Sequence, residues 1–492
     1  MSEKFLRNIS IGYLALPNFL FYFFWVKTPI AVLGSVALLY LLVKGLLDKD
    51  YADAGVLTSK NLLLIFAVSA LLTVVSGICG LTFQNLDYWA HNAKFYELMS
   101  YTWPIRFEKT IISYYYGYYV VPGLFLKMTG DVHEIFIFVW TWLGLALGIA
   151  WIYLVLNKKM VLVWLALCVG DFPRILKSVL SLISIKLYEF EDFGIEIWSN
   201  FENLLWVPNQ TIPTLLIGGM FVYGLKRKLN VDLLVLPIAL SFWWAVFPSF
   251  ISGLLIGILS VKDWFLSPVQ RKPARIFDRV LLPFLVSLPV LIFFLSHEES
   301  PLSGFVWSFR NEKTNLVAEY LVNIGLNVGV FAALYVLQKK SALQTFDPVP
   351  AYLVLLFSTV LPFYRMGEVN DILFRGMMPL LIIIGMYLLY PLSLHSVRDN
   401  FTFIRKYPVM MILMIIIFSS SLMSFGRLAR AAKHNVIFSE TALKRETFEP
   451  IPYDLYANVY EVIKVKWSKE GADQYKGNAD SFYERHMAPD KK

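Results

Sequence analysis

Apolar residues come in long runs along nearly the whole chain, and the polar positions between them are clustered. A membrane-crossing helix needs roughly 20 mostly apolar residues, fewer where neighbours shelter it. Such runs fall near 9–26, 29–47, 61–80, 133–156, 160–171, 204–225, 231–248, 250–266, 278–296, 316–338, 349–364, 372–391 and 407–425. They predict an all-α polytopic integral membrane protein with about thirteen transmembrane helices. The runs 160–171 and 250–266 are short, and the tyrosine-rich stretch 111–126 could add a crossing. No small-residue cleavage site follows the first run, so it is expected to stay attached as the first membrane helix.

One stretch breaks the pattern. Residues 81–130 lie between apolar runs yet carry Asp87, His91, Lys94, Glu97, Arg106, Glu108 and Lys109. Lipid does not accept such groups unpaired. We therefore expect a large re-entrant or surface-lying loop at 81–132, with 84–100 a helix along the membrane surface. On that helix Asp87 and His91, four apart, share a face, and Lys94 follows on the next turn.

The loops sort by charge. If the N-terminus is cytoplasmic, the inner loops contain Lys4 and Arg7, Lys44, Lys49 and Lys60, Lys158 and Lys159, Lys226 to Lys228, Arg271 to Arg275, Lys339 and Lys340, and Arg398 to Lys406. The other set is 27–29, 81–132, the acidic 186–203, 296–315 and 364–371. Basic loops mark the cytoplasmic side, so the second set is expected outside. Thirteen crossings also put the C-terminus outside, against the basic "RLARAAKHN" that follows the last helix. Domains are thus expected at 1–426, transmembrane, and 427–492, a short polar tail. Within it "IPYDLYANVYEVIKVKW" has helical spacing and could pack on the loop surface.

Composition agrees with this placement. The chain is 57% hydrophobic and 16% charged, against about 25% charged in soluble proteins. Its net charge of +8 is spent on cytoplasmic loops, and no basic soluble domain exists to bind nucleic acid. Cys79 and Cys168 both lie in apolar runs, without disulfide or metal-ligand spacing.

Four polar constellations fall on the predicted outer side: Asp87 to Lys94; Asp171 with Arg174; 188–216, with Glu191, Asp192, Glu196, Trp198, Asn200, Asn209 and Gln210; and Arg365, Glu368, Asn370, Asp371 and Arg375. Each has a plain alternative. Asp87 and His91 would serve as a helix cap and a surface histidine. Asn209 and Gln210 would tie helices together through amide hydrogen bonds. Arg365 and Arg375 would snorkel to the interface, and Asp371 with Arg375 is an i,i+4 pair. "YTWP" at 101–104 and "YYYGYY" at 114–119 read as rings at headgroup level. Membrane-edge ionisable groups converging on one side nonetheless suggest a functional site.

Four segments carry a resemblance: "LDYWAHNAKFYELMSYTWP" with "YYYGYYVVPGLFLK" after it, "IEIWSNFENLLWVPNQTIP", and "NDILFRGMMP". In this order the chain resembles the GT-C superfamily of polytopic glycosyltransferases, which use polyprenyl-phosphate-linked sugars. The resemblance implies an Asp in the first large outer loop as catalytic base, here Asp87. The chain departs from the simplest pattern in having about three helices before that loop and no tight D-x-D pair, so a divalent metal is not indicated. Transfer from a lipid phosphate needs a base for the acceptor proton and cations for the leaving phosphate. Asp87 and His91 suit the first role; Arg375, Arg365 and Lys94 suit the second. Glu196, Trp198, Asn209, Gln210, Asn370 and Asp371 would hold sugar or acceptor. No nucleotide-binding fingerprint occurs, which favours a lipid-linked donor, with membrane lipids and a glycan or lipid acceptor as partners. The expected location is a bacterial plasma membrane. The alternatives are a transporter or flippase of a lipid-linked glycan, for which an internal repeat would be expected, and an O-antigen polymerase- or ligase-like enzyme.

Overall fold

A computed structural model describes residues 1–48, 50–184, 197–266, 272–298, 302–309, 316–341, 343, 346–367, 370–432 and 450–490. The chain is mostly helical, and the described strands form only two small two-stranded sheets. Helices lie over all the predicted apolar runs. Among the described residues seven are long and apolar enough to cross a membrane: Thr28–Leu46, Glu134–Val155, Val246–Leu266, Pro273–Phe294, Leu316–Lys340, Asp371–Ser393 and Pro408–Ala429. By contrast Met160–Leu167 has eight residues, far short of the roughly 20 a crossing needs.

Burial sorts these helices. In Asp371–Ser393 the apolar window is 89% buried, whereas in Thr28–Leu46 it is 11% buried. The first is the central post of the bundle; the second turns its apolar side chains outward, as a lipid-facing helix does. The first turns of the central post carry Asp371 and Arg375, so both sit on a rigid element.

Segments assigned by charge to one side meet in space. The hairpin Ser303–Phe305 with Tyr364–Met366 joins two predicted outer loops. Isolated bridges tie Ile112 to Lys476 and His297 to Gly477. The amide of Lys27 donates to Met487 O at 2.7 Å, and the Tyr483 hydroxyl donates to Trp25 O. The tail is therefore a strap across the end of the bundle that holds the loop. At the other end Arg275 binds Asp232 at 2.8 Å, Arg279 reaches Asp48 at 2.6 Å, and Lys44 pairs with Asp278.

Arg427, the first charge of the basic stretch, lies inside helix Pro408–Ala432. Arg427 donates to Glu202 Oε1 at 2.8 Å, and Glu202 lies within the predicted outer segment 186–203, on helix Asn200–Trp206. This arginine is there to neutralise a buried carboxylate, so it carries no information about sidedness. One test of the arrangement is labelling. Cys79 and Cys168 are buried, and the side chain of Asp480 is 80% exposed. In oriented membranes an impermeant maleimide should modify Asp480→Cys from the face opposite to that which labels Lys228→Cys. Labelling of both from the same face would refute the strap's position.

Candidate functional site

The loop forms a helix at Tyr88–Ser100, followed by the tyrosine run and a short helix at Val120–Thr129. Two expectations need correction. The first helix does not lie on a surface: His91 is 3%, Lys94 1% and Glu97 0% exposed. Nor do the tyrosines form a headgroup belt, since Tyr114, Tyr116, Tyr118 and Tyr119 are buried. Each explains the other, because buried hydroxyls seek partners and buried charges need them. Tyr116 donates to Glu97 Oε1 at 2.7 Å, and Tyr118 pairs with Thr141 Oγ1 at 2.5 Å. Lys94 Nζ donates to the Tyr119 hydroxyl at 2.8 Å and lies 4.1 Å over that ring and 4.3 Å over Tyr114. Gly117 makes this dip possible: a Cβ there would come within 2.8 Å of the Trp243 carbonyl, and no side chain fits so close to a backbone.

His91 is placed by the same run. Its Nε2 lies 2.8 Å from Trp206 O, which can only accept, so Nε2 carries the proton. Nδ1, 2.5 Å from the Tyr119 hydroxyl, is then the acceptor. Burial and the neighbouring Lys94 hold His91 well below the usual imidazole range. Both ring nitrogens are committed, so His91 fixes Tyr119 and Trp206, and the sequence-based role of orienting Asp87 does not match these bonds.

A cavity of about 130 Å³ opens beside this helix, lined on one side by Asp87, His91, Lys94, Tyr115, Asp371 and Arg375. Arg375 stands between two carboxylates, with Nη2 3.8 Å from Asp87 Oδ2 and Nε 3.7 Å from Asp371 Oδ1. These are ion-pair separations, longer than hydrogen bonds. Nη1 reaches Asn203 Oδ1 at 3.4 Å. Among the described residues the buried Arg375 Nε–H has no hydrogen-bond acceptor. Desolvation raises Asp87 above the usual carboxylate range, with Arg375 opposing and Asp371 adding to the rise. Desolvation lowers Lys94 to about 7, against the pull of Glu97 and Asp87. Glu97 is pushed up to about 7 by burial, with Tyr116 and the Val459 amide resisting.

The other predicted residues lie elsewhere. Asn209 and Gln210 are buried at the start of helix Pro208–Arg227, behind the cavity wall. Gln210 Nε2 donates to the Tyr115 hydroxyl at 3.3 Å, while neither end of the Asn209 amide has a hydrogen-bond partner among the described residues. Trp198 packs on Trp206 and Phe374. Asn370 precedes the central post in a left-handed conformation, φ 56°. Arg365 lies on the hairpin, 5.3 Å over Phe309. None of these five lines the cavity. Glu191, Asp192, Glu196 and Glu368 fall outside the described residues.

A second ionic cluster adjoins the first through Asn203, whose Nδ2 donates to Ser199 O at 3.0 Å. Asp171 accepts from the Ser199 amide at 3.1 Å. Arg174 lies 3.8 Å from Asp171 and 3.6 Å from Glu202, and Arg427 closes the set. Its charges answer one another, so the second predicted constellation is spent largely on holding chain segments together. No three His, Cys, Asp or Glu side chains gather as a metal site among the described residues. Between Asp87 and Asp371 the cation is the guanidinium of Arg375.

Sequence reasoning missed the far wall. Ile463, Trp467, Gly471, Gln474 and Tyr475 of the tail complete the cavity. Glu97 anchors them, accepting from the Val459 amide at 2.8 Å. Comparison of the chain with protein-family models, with characterised proteins and with solved structures finds no match in any of the three.

Proposed function

We propose that this protein is a membrane glycosyltransferase of the GT-C kind. It moves a sugar from a polyprenyl-phosphate donor to a lipid or glycan acceptor, on the non-cytoplasmic face of a bacterial plasma membrane. The reading takes the cavity as facing the non-cytoplasmic side. It rests above all on Arg375 at the cavity wall, whose buried Nε–H has no hydrogen-bond acceptor among the described residues, only the Asp371 carboxylate at ion-pair distance. Leaving such a donor unbonded costs about 1–3 kcal/mol or more, and a phosphate oxygen would repay it. Arg suits this task because its planar fork matches phosphate.

The chemistry then follows from position. The acceptor hydroxyl gives its proton to an Asp87 carboxylate oxygen as its oxygen bonds to the anomeric carbon. The bond from that carbon to the phosphate oxygen breaks, and the phosphate leaves with the electron pair. Arg375 and Lys94 meet the growing charge. The raised affinity of Asp87 for a proton makes it a better base at neutral pH than a solvated carboxylate.

The phosphate half of this reading has a pH signature. A phosphodiester keeps one negative charge across the neutral range. Lys94, lowered to about 7, is cationic below that pH and neutral above it. Affinity for a polyprenyl-phosphate sugar should therefore fall as pH rises from 6 to 8.5, by at most about tenfold per unit. Glu97, pushed up to about 7 and facing Lys94, adds to the same trend as it ionises. In Lys94→Met affinity should be low and the slope shallower. A flat profile in the wild type would remove Lys94 from donor binding.

A further inference from the structure

The tail wall of the cavity differs in kind from the wall opposite. Charged groups line the loop and post side, whereas the tail presents a broad indole, a primary amide and a phenol. Trp467 is only half-buried, and among the described residues no other ring stacks on it. It packs in part against the hydrophobic core, and among the described residues no cation sits over its ring either. Its place is nevertheless fixed. Lys466, the residue before it, sits 3.8 Å over the Trp89 ring of the loop helix. On the far side Tyr475 packs 4.4 Å from Tyr114, and its carbonyl accepts from the Ser113 amide at 2.9 Å. The Gln474 amide is steadied by the Gly471 carbonyl at 2.8 Å.

We propose that Trp467 and Gln474 form a subsite for one pyranose ring. An aromatic face is negative and takes the positive C–H face of a sugar. Beside it, Gln474 and the carboxylate of Asp371 offer an amide and acceptor oxygens for hydroxyl groups. Size supports a single ring: about 130 Å³ is well below the roughly 300 Å³ at which drug-sized sites begin. The ring is that of the donor or of the acceptor. The proposal rests on the cavity being a glycosyl-transfer site, and its test separates the two.

The probe is a panel of methyl pyranosides (gluco, galacto, manno and their N-acetyl forms) read by saturation-transfer NMR on the full protein in detergent. At least one should bind the wild type. Trp467→Ala should weaken it by about tenfold or more, the loss of one stacking partner and its contact area, and Trp467→Phe should keep much of it. Asp87→Asn should bind the pyranoside while losing transfer. Competition then separates the sources: a pyranoside that raises the donor KM occupies the donor's place, and one that does not occupies the acceptor's. Trp467-dependent binding in a protein that never releases lipid phosphate would uphold the subsite and defeat the transfer reading. No binding by any pyranoside, equal binding in Trp467→Ala, or loss as complete in Trp467→Phe as in Trp467→Ala would overturn the subsite.

Discussion

Asp87→Asn should leave the protein folded and lower the rate of sugar transfer by about 10²–10⁴-fold, the usual contribution of a general base. Asn keeps the shape of Asp and one acceptor oxygen, but it cannot take a proton from a hydroxyl. The fold should tolerate the exchange because Asp87 holds Arg375 only at 3.8 Å, with Asp371 and Asn203 still beside the guanidinium. Burial, which raises the Asp87 pKa, also means that the neutral amide is accepted at no added desolvation cost. The check is the initial rate of product formation in matched preparations whose thermal midpoints agree. A rate within a factor of about three of wild type would exclude Asp87 as the base.

Arg375→Lys is the second large effect. The guanidinium serves three directions at once: toward Asp87, toward Asp371 and toward Asn203. An ammonium keeps the charge between the two acids but is a point charge, without the fixed fork. One charged hydrogen bond is worth about 1.5–3 kcal/mol, or roughly 10–150-fold in affinity. Donor KM should rise by a factor in that range, with the thermal midpoint little changed because the like charges stay separated. Arg375→Met leaves the two carboxylates without their common cation, and its thermal midpoint should fall clearly. A lysine variant with wild-type KM would mean that Arg375 only glues helices.

Much of this site was legible because charge in membrane proteins is not free to go anywhere. The basic loops suggested a common side for Asp87, His91, Lys94, Asp371 and Arg375, although nearly three hundred residues part the first from the last. Five of the predicted set line one cavity. What failed was depth. A polar helix beside lipid reads as surface-lying, yet Lys94 and Glu97 are buried because the tyrosine run supplies hydroxyls and ring faces. That pairing leaves no mark in periodicity, and only Gly117 between the tyrosines hints at a close backbone approach. The tail was legible as a helix packed on the loop, but not as a wall of the site. The amide of Val459 meets a carboxylate 362 positions away, and nothing local in "ANVYEV" announces that. Arg427 misled in the opposite way: it looked like a signal of sidedness and is the partner of Glu202.

The most direct test of the account is whether this protein breaks the donor bond. Purified wild-type protein in detergent would be mixed with a polyprenyl-phosphate sugar and a lipid and glycan extract of the source cells as acceptor. Released polyprenyl phosphate would be followed beside the same reaction with Asp87→Asn. The account predicts release that tracks sugar transfer in the wild type and nearly vanishes in the variant. Donor that binds and is recovered intact from the wild type, as a transporter would leave it, would contradict the account, as would release that Asp87→Asn does not diminish.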